Sequence, residues 1–299
     1  MHPVTRVALG LTGLGAAAMT YAAGYEVRAF ALRYVEVPCL PTGASPLRVL
    51  HLSDLHMMPR QGRKQRWLRD LSDLKPDLVV NTGDNIGHPD STGAVLDSLG
   101  ELLDRPGAFV FGSNDYWGPV AKSPLRYLQR SHAGDRLQGD PLPWDRLRDG
   151  FKAAGWLDLT NSAVELEAGG RRISLLGVDD PHLGRDELGD LPAGADPSVP
   201  RIGVTHAPYL RVLDAFTAHG CDLILAGHTH GGQVRVPGYG ALVTNCDLDP
   251  RRARGLHHHQ ADGRSCWLHV SAGCGTSPYA PYRFACRPEA SLVTLTAKR

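Results

Sequence analysis

The sequence predicts an α/β protein whose functional residues lie at the carboxyl ends of its strands. Short apolar runs typical of buried strands alternate with segments in which apolar residues recur at helical spacing. Several of these runs end in a loop that contains Asp, Asn or His. In open α/β sheets ligands bind at this edge, and 299 residues are enough to bury a continuous core.

The first part of the chain predicts a β-α-β unit and a further helix and strand. The run LRVLHLSD is a buried strand, and the helix over residues 63–74 is closed by Pro76 before the strand DLVVNTGDN. A second helix over residues 94–103 leads to the strand GAFVFGSND. Each of these three strands therefore ends in a polar loop at the same edge.

Residues 117–156 are polar and contain prolines, which predicts an insertion over that edge with one helix at residues 144–154. A hairpin follows, formed by SAVELEA and RRISLLGVDD. Next comes a strand-helix-strand set that ends in the motifs VTHAP and GHTHGG. The remaining β-like runs are GALVTN, SCWLHVSAG and ASLVTLTA, and the run His257–His259 is interpreted as a solvated loop.

The amino-terminal segment carries no charge from Val7 to Tyr25, about 19 residues, a length that just reaches the span of a bilayer. An uncleaved membrane anchor is favoured over a cleaved signal peptide and over a helix that lies on the soluble domain. Residues 1–30 are thus predicted as the anchor or signal, 31–46 as a linker and 47–299 as the functional domain. Arg6 and Arg28 flank the segment almost symmetrically, so charge does not assign the face of the membrane.

Composition excludes several classes of protein. With 32 basic and 31 acidic residues the net charge is +1, so no nucleic-acid partner is expected. The six cysteines form no C-x-x-C pair, which argues against a zinc ribbon or a thioredoxin-like site. Buried thiols are favoured over disulfides.

Two motifs place metal-binding side chains two residues apart. Asp54 and His56 in LSDLHM follow a strand, so both side chains point to the same side and can bind one ion. His228 and His230 in GHTHGG are flanked by glycines that let the backbone approach a ligand closely. The first motif alone is also compatible with a surface Asp and a capping His.

Two single residues complete the pattern. Asp84 in NTGDN follows Gly83, which permits a tight turn, and His206 in VTHAP ends another strand. Taken alone, each is compatible with a turn or a helix cap. Because five strand ends each deliver Asp, Asn or His, the joint pattern predicts a metal site.

The order D-x-H, G-D, N, H and H-x-H resembles that of the calcineurin-like metallophosphoesterases. LSDLHM, NTGDN and GHTHGGQ carry the resemblance, and the tail VSAGCGTSPYAPYRFACRPEASLVTL is similar to the closing segment of the family. The similarity extends from about residue 47 to the end and is strongest for the bacterial, membrane-associated subgroup. It implies a four-layer α/β/β/α sandwich with two divalent metal ions at the carboxyl ends of the strands.

The resemblance also implies the ligand sets. Asp54, His56 and His230 would hold one ion, His206, His228 and an Asn the other, and Asp84 would bridge them. Carboxylates mixed with imidazoles suit Mn, Fe or Zn without choosing among them.

The third strand end departs from the family pattern, which usually reads G-N-H-D or G-N-H-E. Here the run is Gly112-Ser113-Asn114-Asp115. A strictly colinear match places Ser113 at the ligand position and Asn114 at the position of the usual acid histidine. Asn114 is favoured as the ligand because an amide oxygen is a better donor than a hydroxyl. Leaving-group protonation would then come from water, from a residue such as His182, or not at all.

The expected function is hydrolysis of a phosphomonoester or phosphodiester with a metal-bridging hydroxide as the nucleophile. A lipid-linked or envelope substrate fits a membrane tether, and the alternative is a membrane-tethered metal-binding module with little catalysis. Asp84, Asn114 and His206 are the predicted catalytic residues. Further candidates are predicted to orient ligands or to contact substrate: Asn85, Asp115, His182 and Arg283.

Overall fold

The computed structural model describes residues 3–121, 138–189, 196 and 198–298, with side chains from residue 12 onward. The strands are β1 (Ala31–Leu40), β2 (Leu47–Leu52), β3 (Leu78–Asn81), β4 (Gly107–Phe109), β5 (Leu157–Asp158), β6 (Ser162–Ala168), β7 (Arg171–Gly177), β8 (Arg201–Thr205), β9 (Leu223–Ala226), β10 (Arg235–Val236), β11 (Gly240–Ala241), β12 (Gly255–Ala261), β13 (Arg264–Val270) and β14 (Glu289–Ala297). The helices are α1 (Pro3–Thr20), α2 (Gly62–Asp70), α3 (Thr92–Leu99), α4 (Ser113–Tyr116), α5 (Trp144–Ala153) and α6 (Leu210–Ala218).

Two mixed sheets form the centre of the molecule. Sheet 1 has the order β1-β14-β2-β3-β4-β5, in which β2 to β5 are parallel and β14 is antiparallel to β2. Sheet 2 has the order β12-β13-β9-β8-β7-β6, with antiparallel pairs at both edges and parallel strands between them. Helices lie in the connections from β2 to β3, β3 to β4, β4 to β5 and β8 to β9, and the carboxyl ends of these parallel strands lie at one edge of each sheet.

The apolar side chains divide into three cores that define the layers. Val49 and Val80 of sheet 1 pack between the sheets with Val204 and Leu225 of sheet 2. The opposite face of sheet 1 packs on α2, α3 and α5, and the opposite face of sheet 2 packs on α6. The predicted four-layer α/β/β/α sandwich is therefore confirmed.

Strand β1 corrects the predicted linker at residues 31–46. It pairs in parallel with β14 over Ala31 to Leu40 and forms the edge of sheet 1. The segment looked like a connection because Pro38 and the exposed positions of an edge strand interrupt its apolar pattern. The domain thus begins at β1 rather than at residue 47.

The predicted insertion at residues 117–156 is also partly wrong. Helix α5 buries Leu147 and Phe151 against the core of sheet 1, and Trp156 packs beside them. The stretch before β5 is therefore part of the regular helical layer. Residues 122–137 of the predicted insertion lie outside the described residues.

Three further expectations, on the histidine run, on GALVTN and on the cysteines, can be compared with the structure. The run His257–His259 belongs to β12 and not to a loop, because it pairs with Leu268 to Cys266 of β13. GALVTN forms only the two-residue strand β11. The six cysteines are free, as the favoured interpretation predicts.

At the amino terminus, α1 is followed by a π-helical turn, Tyr21–Tyr25, and a 3-10 turn, Glu26–Arg28. Of the side chains described in α1, from Thr12 to Thr20, all except Ala18 are exposed. None of the helices in the described part of the chain combines the length and the apolar character that crossing a bilayer requires.

Candidate metal centre

The candidate metal centre lies where the carboxyl edges of the two sheets meet. The loops after β2, β3 and β4 reach it from sheet 1, and those after β8 and β9 reach it from sheet 2. Each loop follows a buried strand, so its polar side chains are positioned by the sheet. The structure brings together all six predicted Asp and His residues: Asp54, His56, Asp84, His206, His228 and His230.

One group of donors contains Asp54, His56 and His230. The Nε2 atoms of His56 and His230 face each other at 3.2 Å. Nε2 of His230 also lies 3.6 Å from Oδ1 of Asp54. Donor atoms of the three residues lie within 4.8 Å of one another, which is close enough for one ion to contact all of them.

The second group contains His206 and His228, whose Nε2 and Nδ1 atoms are 3.3 Å apart. Asp84 lies between the two groups. Its Oδ2 atom is 3.6 Å from Nε2 of His56 and 3.5 Å from Nε2 of His206. One carboxylate oxygen thus faces a histidine of each group, as expected of a residue shared by two ions.

Hydrogen bonds on the far side of two rings determine which nitrogen faces the centre. Nδ1 of His206 lies 2.8 Å from the carbonyl oxygen of Thr82, and Nε2 of His228 lies 3.2 Å from that of Asn245. A carbonyl oxygen only accepts, so in neutral imidazoles these nitrogens donate and the facing nitrogens carry lone pairs. With a cation bound, these two nitrogens and Oδ2 of Asp84 would be three converging donors to it. Without one, the raised pKa of His206 places a proton between His206 and Asp84.

The electrostatics of this buried centre also favour a cation. Burial raises the pKa of Asp54 to about 6 and lowers the pKa of His56 to about 4. Burial also disfavours a charged His206, but the carboxylate of Asp84 outweighs it and holds the pKa of His206 well above its usual range. Within the described residues, Nδ1 of His56 is buried without a hydrogen-bond partner. The donor set therefore fits a divalent ion.

The backbone at the centre adopts left-handed conformations that direct side chains inward. Non-glycine residues seldom have positive φ, which costs about 1–3 kcal/mol each and is concentrated at functional sites. Gly112 permits the close approach of β4 and β8, because a Cβ at this position would overlap Asp84 and His206. The ligand candidates with positive φ are Asp54 (50°), His56 (39°), Asp84 (57°), His228 (67°) and His230 (50°).

Asn114 reaches the carboxylate that lies between the two groups. Its side-chain amide donates to Oδ2 of Asp84 at 2.8 Å, and its backbone N–H donates to Oδ1 at 2.7 Å. The two ends of an amide exchange by a simple flip of the side chain, so the oxygen can take the place of the nitrogen at this position. Asn114 is thus held beside the proposed bridging carboxylate, and its role as a ligand of the second ion stays a prediction.

We expect Asn114→Ala to lower the affinity for the second ion by more than about 10-fold, which is the loss already caused by removing an outer partner of a ligand. Ser113→Ala is the matched control and should retain both ions. The measurement is metal per chain after purification in Mn²⁺ and dialysis. The reverse ranking of the two variants would assign the ligand role to Ser113.

Asp115 holds the loops that carry the centre. Its carboxylate accepts the backbone N–H groups of Asp84 at 2.7 Å, Asn85 at 2.8 Å and Gly112 at 3.0 Å. Burial, with Asp84 nearby, raises the pKa of Asp115 to about 7. The side chain of Asn85 accepts a hydrogen bond from Asn81 at 2.7 Å. These contacts fit the predicted role of Asp115 and Asn85 in orienting ligands.

His182 borders the second group of donors. Its ring centroid lies 4.5 Å from that of His228, and its Nδ1 atom is 3.0 Å from the hydroxyl oxygen of Tyr209. Asp180 accepts the backbone N–H of His182 at 2.9 Å. The loop after β7 thus brings a histidine to the border of the centre.

Arg283 lies against His230, so its contacts fit the first of its two predicted roles, the orientation of a ligand. The residue is fully buried, and its guanidinium donates to the carbonyl oxygens of Ala272 at 2.7 Å and Gly275 at 2.6 Å. Nη2 lies 3.2 Å from Nδ1 of His230. The hydrogen bonds of Arg283 therefore stabilise the closing segment of the chain and the position of the His230 ring. Its motif, PYRFAC, gives no indication of burial.

Two supporting residues were not found from the sequence. Lys64 of α2 is buried and donates to the carbonyl oxygen of Leu55 at 2.7 Å, within the loop that carries Asp54 and His56. Burial lowers the pKa of Lys64 to about 7. Ser53 donates to Oδ2 of Asp54 at 2.5 Å. Ser53 lies inside the LSDLHM motif, but a lysine in a basic helix carries no signal of burial.

Sequence comparison relates this chain to known phosphoesterases. A sequence profile described as calcineurin-like phosphoesterase matches residues 47–232. Phosphodiesterase YaeI of Escherichia coli is 29% identical over 265 residues, which cover 84% of this chain and 83% of that protein. A Bos taurus protein called transmembrane protein with metallophosphoesterase domain is 29% identical over 218 residues, covering 68% of this chain and 45% of its own. A dimetal phosphatase structure from Danio rerio covers 76% of this chain and 87% of its own at 13% identity, with a TM-score of 0.40.

The chain therefore belongs to the calcineurin-like phosphoesterase family, and it is a metallophosphoesterase. The family resemblance read from LSDLHM, NTGDN and GHTHGGQ is confirmed. Members of this family usually bind two divalent metals, and the chain has two groups of Asp and His residues suited to hold them.

Proposed function

We propose that the protein hydrolyses phosphomonoesters or phosphodiesters with two divalent metal ions, Mn, Fe or Zn. The observation that carries the proposal is the convergence of the side chains of Asp84, His206 and His228, next to the group of Asp54, His56 and His230. A phosphodiester is supported by the name of the relative in Escherichia coli.

The metal-binding residues form two proposed ligand sets that share one carboxylate. Asp54, His56 and His230 would hold one ion, His206, His228 and Asn114 the other, and Asp84 both. When bound, two such ions lower the pKa of water and neutralise phosphate charge during an in-line attack. Asp84, Asn114 and His206 are therefore the residues proposed to be catalytic.

Protonation of the leaving group is the step at which this chain departs from the usual family pattern. Asn114 stands where a histidine is common, and an amide does not supply a proton at neutral pH. The ring of His182 lies next to that of His228, in the second group of donors. We expect substrates with good leaving groups, which need no proton from the protein, to react fastest.

We also propose that the protein is membrane-associated through its amino-terminal segment, as in the bacterial membrane-associated subgroup, and acts on a lipid-linked or envelope phosphoester. The uncharged run from Val7 to Tyr25 and the transmembrane relative in Bos taurus support this proposal.

The test is turnover of p-nitrophenyl phosphate and bis(p-nitrophenyl) phosphate by the full chain with Mn²⁺. We expect hydrolysis of at least one of them. Tight metal binding without turnover of either would instead support the alternative, a membrane-tethered metal-binding module with little catalysis. Phosphate release and metal content are measured on the same preparation.

A further inference from the structure

The exposed apolar side chains of the described residues are concentrated in one region. Apart from Tyr34 and Leu210, the large exposed apolar residues lie on α1 or in three segments next to its carboxyl end. Tyr239 is 74% exposed and Tyr25 is 61% exposed. We call the residues of the three segments the apolar rim: Tyr21, Tyr25, Val234, Val236, Tyr239, Leu242 and Tyr279.

Contacts around Phe284 hold the three segments together. The ring of Tyr21 packs edge-on against that of Phe284, with 6.2 Å between centroids. Val234 forms a β-bridge with Phe284, and Arg235 donates its backbone N–H to the carbonyl oxygen of Phe284 at 2.9 Å. The side chain of Gln233 donates to the carbonyl oxygen of Ala280 at 2.8 Å. The rim is therefore a fixed surface and not a set of separate loops.

The rim directly adjoins the metal centre. The β10–β11 hairpin, which carries Val236 and Tyr239, follows the ligand candidate His230 after only four residues. The side chain of Arg235 donates to the carbonyl oxygen of Gly231 at 2.9 Å. Arg283, which lies against His230, donates its backbone N–H to the carbonyl oxygen of Ala22, in the turn after α1.

The charge of the rim segments is positive. Residues 20–28, 233–242 and 279–287 contain three arginines that are not buried, Arg28, Arg235 and Arg287, besides the buried Arg283, and a single acidic residue, Glu26. Glu26 is buried, and its carboxylate accepts backbone N–H groups of Ala285 and Cys286. Arg28 and Arg287 are exposed and donate to backbone carbonyl oxygens. An anionic surface is therefore attracted to this region.

We propose that the apolar rim docks on the surface of an anionic lipid bilayer and thereby presents membrane-embedded phosphoesters to the metal centre. Exposed tyrosines flanked by arginines, at the end of a helix that carries no charge from Val7 onward, are side chains that favour the interface between headgroups and acyl chains. Contiguous exposed apolar surface of this kind is uncommon on a soluble face. This inference rests on the proposed function and specifies its substrate class: a phosphoester whose alcohol carries an acyl or other lipid chain.

The test compares two substrates that share one leaving group. One is a diacylglycerol phosphodiester of p-nitrophenol in vesicles of phosphatidylcholine and phosphatidylglycerol, and the other is water-soluble ethyl p-nitrophenyl phosphate. In both, water supplies the oxygen that binds phosphorus, and p-nitrophenolate leaves with the release of a proton. The full chain with Tyr239→Ser and Leu242→Ser is compared with Tyr34→Ser, which changes a tyrosine that is 71% exposed on β1.

We expect the double variant to lose roughly tenfold in kcat/KM on the vesicle substrate and in co-flotation with vesicles, because apolar area no longer enters the bilayer. Its rate on the soluble substrate and the behaviour of Tyr34→Ser should stay at wild-type values. Equal flotation and equal vesicle hydrolysis by the two variants would overturn the docking surface. Failure of every form to hydrolyse either substrate, with flotation still reduced in the double variant, would contradict the proposed hydrolase function and not the docking surface.

Discussion

Replacing Asp84 with asparagine should reduce kcat/KM for an aryl phosphodiester by roughly 10³-fold or more. The carboxylate faces His56 at 3.6 Å and His206 at 3.5 Å with a single oxygen, so it is placed to hold both ions. Losing its charge removes several kcal/mol of stabilisation from a centre that binds a dianionic transition state, and each 1.4 kcal/mol corresponds to about tenfold in rate.

The measurement for Asp84→Asn is steady-state hydrolysis together with metal content. Asp90→Asn is the matched control, since Asp90 has an exposed carboxylate on a surface turn. The control should keep wild-type activity and two ions per chain. Wild-type kcat/KM in Asp84→Asn, with both ions retained, would mean that the centre does not depend on a shared carboxylate.

Removal of divalent metal should abolish hydrolysis, and Mn²⁺ should restore it. The described residues around the centre offer carboxylates and buried imidazoles to a metal ion. Water that is not bound to a metal is a poor nucleophile at neutral pH, so hydrolysis should depend on the ions. Metal should also raise the melting temperature, because ions that bind only the folded state stabilise it by about 2.7 kcal/mol at 100 times their Kd.

The experiment uses a chelator, dialysis and readdition of single metals, with activity and thermal unfolding followed in parallel. Calcium added at the same concentration controls for general charge screening, since a large oxygen-seeking cation suits an imidazole-rich site poorly. Full activity in the metal-free protein would rule out the metal-dependent mechanism.

Much of the fold could be predicted because each strand or helix has its own local pattern. The buried runs at β2, β3, β8 and β9 are short and almost wholly apolar, and Pro76 and Gly220 mark the ends of the helical segments that precede the next strands. The positions of the sheets relative to each other followed from family resemblance alone. Nothing local in the sequence predicts that β14 pairs with β2 in one sheet while β13 pairs with β9 in the other.

The predictions that were wrong concern segments whose structure depends on tertiary contacts. β1 is an edge strand with alternating exposed residues, and it is a strand only because β14 offers its backbone. Helix α5 looked like part of an insertion because its polar face is long, yet Leu147 and Phe151 pack in the core.

The candidate site was predictable to the extent that its chemistry is local. Asp54, His56, His228 and His230 are displayed in two short motifs, and the structure brings them together. The burial of Arg283 could not be predicted, because its guanidinium is held by the carbonyl oxygens of Ala272 and Gly275. Such a contact leaves no trace in the sequence around it.

The sharing of Asp84 by two ions is tested most directly by anomalous diffraction from crystals of the full chain grown with Mn²⁺. We expect two peaks per chain. One should contact Asp54, His56 and His230, the other should contact His206, His228 and Asn114, and Asp84 should contact both. A single peak in catalytically active crystals, or two peaks away from Asp84, would show that the ions do not share this carboxylate.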